Sequence, residues 1–293
     1  MDQKGLSRSD IIHLLELEKI DFRVVLDESI LLTKFGKFPA SESNTLSWYG
    51  GSGSVGDFSF HVSSILICRE SFYQLHSSSV ANVIVTDFPK FAFAVLSNVI
   101  YDLSFEQFDH GSKSINNSAQ IAADCVRGNG LIVGANSVIL SKVVLGKNVR
   151  IGANCVIGSA GFGFAKGPSG ESLRLPHIGG VHIGDNVEIG NNVCIDSGMF
   201  EPTVISNDVK IDNLVHIAHN VSIGARTLVT AGVEISGSVK IGSDVWIAPQ
   251  VSIIQKVSIG DGALVGIGST VIRDVDPGVT VFGSPARSVQ GKG

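Results

Sequence analysis

The chain has 293 residues, 34 of them glycine, with 44% apolar and 17% charged residues and a formal charge of -5. Ordinary globular chains carry about a quarter charged residues and roughly 7% glycine, so the composition is biased toward a backbone-rich, charge-poor architecture. No apolar run reaches the ~18 residues that span a bilayer, the apolar content is too high for a disordered chain, and the acidic balance gives nucleic acid no electrostatic footing.

The amino terminus, Met1-Asp2-Gln3-Lys4-Gly5, lacks the basic-then-apolar layout of a secretory signal, so a cytoplasmic location without membrane insertion is expected. Ser7 or Ser9 is placed to cap a helix running through Ile11, Ile12, Leu14, Leu15 and Leu17, an amphipathic spacing. Ala81–Thr86 reads as a strand. Asp87-Phe88-Pro89 then opens a second helix through Lys90–Ala94, with proline in its first turn. Alternating strand and helix predict a small α/β domain over residues 1–110. The four cysteines, Cys68, Cys125, Cys155 and Cys194, form no C-x-x-C pair, so they read as free thiols rather than zinc or redox sites.

From about residue 115 the chain is a repeat. An aliphatic residue returns every sixth position at Ile115, Ile121, Val133, Ile139, Leu145, Ile151 and Ile157, with one break at Arg127. A new phase runs Ile183, Ile189, Ile195, and a third runs from Ile205 through Ile217, Ile235 and Ile253 to Val271. A small residue often follows the aliphatic one, as at Gly152, Gly190 and Gly242. This hexapeptide describes a short flat strand and a tight turn, with glycine expected to relieve strain in the turn. Three hexapeptides close one triangular coil, and coils stack at about 4.8 Å through hydrogen bonds. Twenty-three hexapeptides, in phases of eight, three and twelve, make between seven and eight coils. The prism is then on the order of 35 Å long. Glycine and β-branched residues at this density argue against helix.

Loops that interrupt a rigid repeat are natural carriers of binding residues. They hold Gly161-Phe162-Gly163-Phe164-Ala165, His177–Gly190 and Ile195-Asp196-Ser197-Gly198, and the in-phase but polar Ile211–Asn220 follows. In this order these segments resemble the UDP-3-O-acylglucosamine N-acyltransferase family of the lipid A pathway, hexapeptide-repeat acyltransferases. Ser197 stands where that family has arginine. The resemblance implies a left-handed parallel β-helix over residues 111–276, mainly β, preceded by the small α/β domain. It also implies a homotrimer with active sites in the clefts between subunits. The ending, residues 277–293, with Gly283-Ser284-Pro285-Ala286-Arg287, instead looks like that of coenzyme A-dependent sugar acetyltransferases.

The matched positions carry expected roles. His219 corresponds to the family's general base. An imidazole, with pKa near 6.5, suits the removal of a proton from a sugar amine at neutral pH. Gly237 corresponds to the glycine whose backbone N–H meets the oxyanion. Asp212 either orients an imidazole or forms a corner turn, and Asn213 lies beside the family's site. Lys256 falls where the family has a second histidine, either to meet a phosphate or as a solvated charge. Trp48 and Tyr49 fall where the family stacks a uracil ring. His216 and His182 read mainly as prism-face residues, His216 being added to the substrate-binding set. Gly283, Ser284, Pro285, Ala286 and Arg287 correspond to the loop near the acyl donor.

These residues point to an N-acyltransferase that moves an acyl group from acyl carrier protein or coenzyme A, as co-substrate, to the amine of a UDP-linked amino sugar. No permanently bound cofactor or metal is expected. The tail favours an alternative, acetyl-CoA-dependent N-acetylation of an amino sugar for surface polysaccharide. A γ-type carbonic anhydrase would place one histidine, a long gap and then two close together, whereas His177 and His182 precede His216 and His219 here. A structural or ice-binding prism would show rows of threonine, which the variable positions lack.

Overall fold

A computed structural model describes residues 5–51, 55, 58–104 and 115–288. The chain divides into two compact units, Met1–Asp109 and His110–Gly293. The expected junction at 105–114 lies outside the described residues.

The first unit is built on a five-stranded sheet. Its spatial order is Arg23–Val25, Asn82–Val85, Ile65–Cys68, Thr45–Trp48 and Lys34–Phe35, parallel except for the first pair. The central strands are buried on both faces. Ile65, Ile67 and Ile84 join one apolar cluster, and Leu66, Cys68, Val83 and Val85 join another. Such strands read as unbroken apolar runs rather than as alternation. Helix α1, Arg8–Leu17, starts on a capping box in which Ser7 Oγ accepts from the Asp10 N–H at 3.3 Å. The Asp10 carboxylate in turn accepts from the Ser7 N–H at 2.9 Å. Ser7, not Ser9, is therefore the cap. Ile11 and Leu15 are buried while Leu17, expected on the same face, is exposed. Helix α2 is Glu70–His76 and α3 is Pro89–Ser104, which buries Ala92, Leu96 and Ile100 at a four-residue spacing.

The prism of the second unit consists of three sheets of nine, eight and seven short strands, parallel but for a closing hairpin. Its register and hexapeptide pattern are those of a left-handed parallel β-helix. Ile217, Ile235, Ile253 and Val271 pair in series down one face, and all are buried. A second buried column, unread in the sequence, stands two residues earlier at Val215, Val233 and Val251. Each fully buried side chain of this kind contributes ~1.5–3 kcal/mol.

The turn chemistry differs from expectation. Asparagine is the commonest residue at the strained corner positions, as at Asn154 (φ +57°), Asn192 (φ +56°) and Asn220 (φ +60°), because it tolerates the left-handed region, and glycine takes others such as Gly232 (φ +70°). The glycine after the aliphatic residue serves close approach instead. A Cβ at Gly152 would fall 2.6 Å from the carbonyl oxygen of Gly190 on the next coil.

Two excursions leave the prism. After Val156–Ala160 the chain forms a hairpin, Phe164–Lys166 with Ser172–Arg174, and returns at Val181–Ile183. A shorter one lies between Cys194–Ser197 and Thr203–Ile205. Within residues 277–293, expected as a C-terminal tail, Thr280–Phe282 joins the nine-stranded sheet beside Leu264–Val265 and turns back into Arg287–Ser288. No described helix is long and apolar enough to cross a membrane.

Candidate active site

His219 occupies the corner after strand His216–Ile217. Its Nδ1 lies 3.1 Å from Oδ1 of Asn220. Two further bonds fix that amide and a third fixes its backbone. Oδ1 accepts from the Met199 N–H at 3.0 Å, Nδ2 donates to the Glu201 carbonyl at 2.9 Å, and the Asn220 N–H donates to Thr203 Oγ1 at 2.9 Å. The amide oxygen only accepts, so the imidazole proton sits on Nδ1 and the lone pair on Nε2. That Nε2 faces Gly237 on the next coil, where a Cβ would lie 2.7 Å away. Among the described residues the Gly237 N–H has no acceptor, which leaves it free to donate.

The first excursion closes over the other side of His219. The ring of His177 lies 4.9 Å from that of His219, centroid to centroid, at 58°. A Cβ at Gly161 would fall within 3 Å of both rings, and Arg174 Nη1 donates to the Gly161 carbonyl at 3.1 Å.

The expected orienting role of Asp212 is not what the geometry shows. Its carboxylate accepts from the backbone and side chain of Asn213, both at 2.7 Å, and Asn213 Oδ1 accepts from the Asn191 N–H at 2.7 Å. These bonds tie down the corner after Lys210–Ile211, whereas the partner of His219 is Asn220. The signal was present in Ile-Ala-His-Asn, but only the fold aims the asparagine at the ring.

His216 faces outward on the same strand face, with Nε2 3.8 Å from Asp196 Oδ2 and 3.9 Å from Glu234 Oε1. Asp196 is buried and accepts from Ser159 Oγ at 2.6 Å. Burial pushes the Glu234 carboxyl above its ordinary range, which His216 opposes and Asp196 reinforces. Asp196 was read only as part of the Ile195–Gly198 motif and Glu234 escaped the sequence reading, although the coil register that pairs His216 with Glu234 was available. His182 lies on a different sheet. Lys256 is exposed at a left-handed corner (φ +66°), and its N–H donates to the Gly237 carbonyl at 3.1 Å.

Trp48 and Tyr49 part company, as consecutive residues of an extended segment must. Trp48 lines a recess of about 770 Å³ with Arg69, Asp87, Phe88 and Phe91. The Tyr49 ring packs away from it against Phe38 and Phe72, at 5.2 and 4.5 Å between centroids. Of the two aromatics expected at a uracil ring, Trp48 lines the recess and Tyr49 does not.

Gly283–Arg287 closes the end of the prism. The Gly283 N–H donates to Ser269 Oγ at 3.1 Å, Ser284 Oγ lies 3.0 Å from Thr270 Oγ1, and the Ala286 N–H donates to the Thr270 carbonyl at 2.8 Å. Arg287 is exposed. Thr270 is three strands from His216 on the same sheet, about 14 Å at strand spacing.

Residues 128–159 and 202–237 match the bacterial transferase hexapeptide (six repeats) family, and residues 176–197 match the hexapeptide repeat of succinyl-transferase. The UDP-3-O-acylglucosamine N-acyltransferase of Paracidovorax citrulli is 41% identical over 92 residues, 29% of this chain and 27% of that protein. The protein of the same name from Hydrogenovibrio crunogenus is 29% identical over 229 residues, 68% of this chain and 65% of its own. The matched stretches thus span about a quarter of the first relative and just under two thirds of the second. A UDP-N-acetylglucosamine acyltransferase structure from Bacteroides fragilis aligns with a TM-score of 0.50 at 21% identity, over 59% of this chain and 72% of that one. That likeness is one of fold. The resemblance read from the motifs is matched by relatives of the same name.

Proposed function

We propose that this chain is an N-acyltransferase that moves an acyl group from a thioester to the amine of a UDP-linked amino sugar, with His219 as general base. The observation that carries this reading is the fixed imidazole: Nδ1 is held on Asn220, and Nε2 is turned toward a glycine whose N–H is free. In the reaction the neutral amine attacks the thioester carbonyl carbon, and Nε2 takes the amine proton. The Gly237 N–H donates to the oxygen that becomes negative. Collapse breaks the carbon–sulfur bond, and the departing thiolate takes the proton back from the imidazolium, leaving amide and thiol.

Transfer is direct. Burial pushes the Cys68 thiol up to about 12 and raises those of Cys125, Cys155 and Cys194, so none is a ready nucleophile. The donor is acyl carrier protein or coenzyme A, bound as co-substrate, with no resident cofactor or metal. The recess at Trp48 suits a uracil ring, with Phe88 and Phe91 exposed at its wall. Exposed Phe162, Leu173 and Phe200 on the two excursions support a homotrimer that buries them between subunits. Asn213, His216 and Lys256 belong to the acceptor side of such a cleft.

One observation favours a second reading, acetyl-CoA-dependent N-acetylation of an amino sugar for surface polysaccharide. The Gly283–Arg287 turn stands at the prism end with an exposed guanidinium, one nitrogen of which donates to the Ala286 carbonyl at 3.0 Å, and the remaining donors fit a phosphate of the coenzyme.

The test is to incubate the protein with UDP-amino sugars and either acyl-CoA or acyl carrier protein thioesters and to follow product mass. A mass gain of one acyl group at the amine is expected. In His219→Ala the rate should fall by roughly 10²–10⁴, and unimpaired turnover in that variant would overturn the assignment.

A further inference from the structure

Beside the base stands a second imidazole that the chemistry above does not use. His177 ends the first excursion, and its Nδ1 lies 3.1 Å from the Leu175 carbonyl oxygen. A carbonyl only accepts, so Nδ1 carries the proton and Nε2 the lone pair. That Nε2 is buried and has no hydrogen-bond partner among the described residues. An apolar ring would fill the same space without the penalty that a buried unpaired acceptor carries.

Two glycines seat the ring. A Cβ at Gly161 would fall 2.8 Å from His177 Nε2 and 2.8 Å from His219 Cβ. One at Gly163 would fall 2.8 Å from His177 Cε1. Only glycine at these two positions lets the loop close over the imidazoles, and the lone pair of His177 lies where a Cβ on Gly161 would fall. His219 is thereby enclosed by Gly161, His177, Gly237 and Asn220.

We propose that His177 is a positioning residue for the base. Its ring is the wall that keeps His219 turned with Nε2 toward the reacting amine, and its lone pair borders the ring that becomes cationic when the proton arrives. The part that His219 plays in this proposal rests on the acyl-transfer reading; the geometry does not.

The experiment compares His177→Leu, which keeps bulk but removes the ring and lone pair, with His177→Gln, which restores a polar end. In His177→Leu kcat should fall on the order of tenfold to a hundredfold with KM for both substrates unchanged, and His177→Gln should recover most of the loss. Nitrogen-15 spectra of the substrate-free protein supply a readout besides activity. Wild-type His219 should show a protonated Nδ1 and a bare Nε2, His177→Leu an average of tautomers, and His177→Gln the wild-type pattern. Gly161→Ala, pressing on both rings from the other side, should reproduce His177→Leu. Wild-type kcat and unaltered His219 signals in His177→Leu would overturn the proposal. So would a raised KM with unaltered signals, which would make His177 a substrate contact. If the wild-type protein turns over no donor and acceptor pair, the acyl-transfer reading fails, and the nitrogen spectra still decide whether His177 holds His219.

Discussion

His219 and Gly237 fit so closely that a Cβ on the glycine would lie 2.7 Å from Nε2 and 2.8 Å from Cε1 of the imidazole. The neighbours of Gly237 in the inward columns, Ile235 and Val239, are fully buried. Gly237→Ala should therefore displace the base without loosening the prism. A fall in kcat on the order of a hundredfold is expected, with the thermal midpoint nearly unchanged. Steady-state kinetics and a melting curve on the same preparation check both halves.

Asn220 does two jobs, because its side chain orients His219 and also binds the Met199 N–H and the Glu201 carbonyl. Asn220→Ala should lose activity and also roughly 2 kcal/mol of stability. Asn220→Asp keeps the acceptor for Nδ1 but cannot donate to Glu201, so it should retain more activity than stability. Denaturant unfolding beside initial rates separates the two effects.

Leu214 adopts φ +62° while 63% exposed, at a corner where neighbouring coils place Asn192 and Gly232. A branched side chain there is strained by ~1–2 kcal/mol, which asparagine largely avoids. Leu214→Asn should raise stability by about 1 kcal/mol, read from the denaturant midpoint.

Glu234 sets a pH dependence. Burial raises its folded-state pKa above the unfolded value near 4.3. Below that value both states are protonated and the group contributes nothing. As pH rises through it the unfolded chain ionises first, so Glu234 opposes folding in neutral solution. Glu234→Gln should melt higher than wild type at pH 7 and together with it at pH values below both pKa values. A melting series across that range checks the sign.

Much of the second unit was legible in the chain. Residues six apart, such as Ile211, Ile217 and Ile223, all point inward because a stacked coil offers each of them one environment. Gly237 was named through the family resemblance, and its distance of eighteen positions from His219 is the hydrogen-bonded step between coils, as from Ile217 to Ile235. The first unit was less readable. Ile65–Cys68 is buried on both faces and shows no alternation, so it left no strand signature. Trp48 and Tyr49 looked like a pair, yet the extended backbone sends them to opposite sides.

The amino-acid sequence by itself determined the prism, its coil step and the corner on which His219 stands, because these follow from a one-dimensional period and a repeated hydrogen-bond ladder. The tertiary structure alone decided what touches that histidine. His177 reaches it through an aperiodic excursion, Asn220 rather than Asp212 holds its Nδ1, and Asp196 joins His216 from the coil before. Such contacts depend on how loops fold back and which way an amide turns, and no period in the chain encodes either.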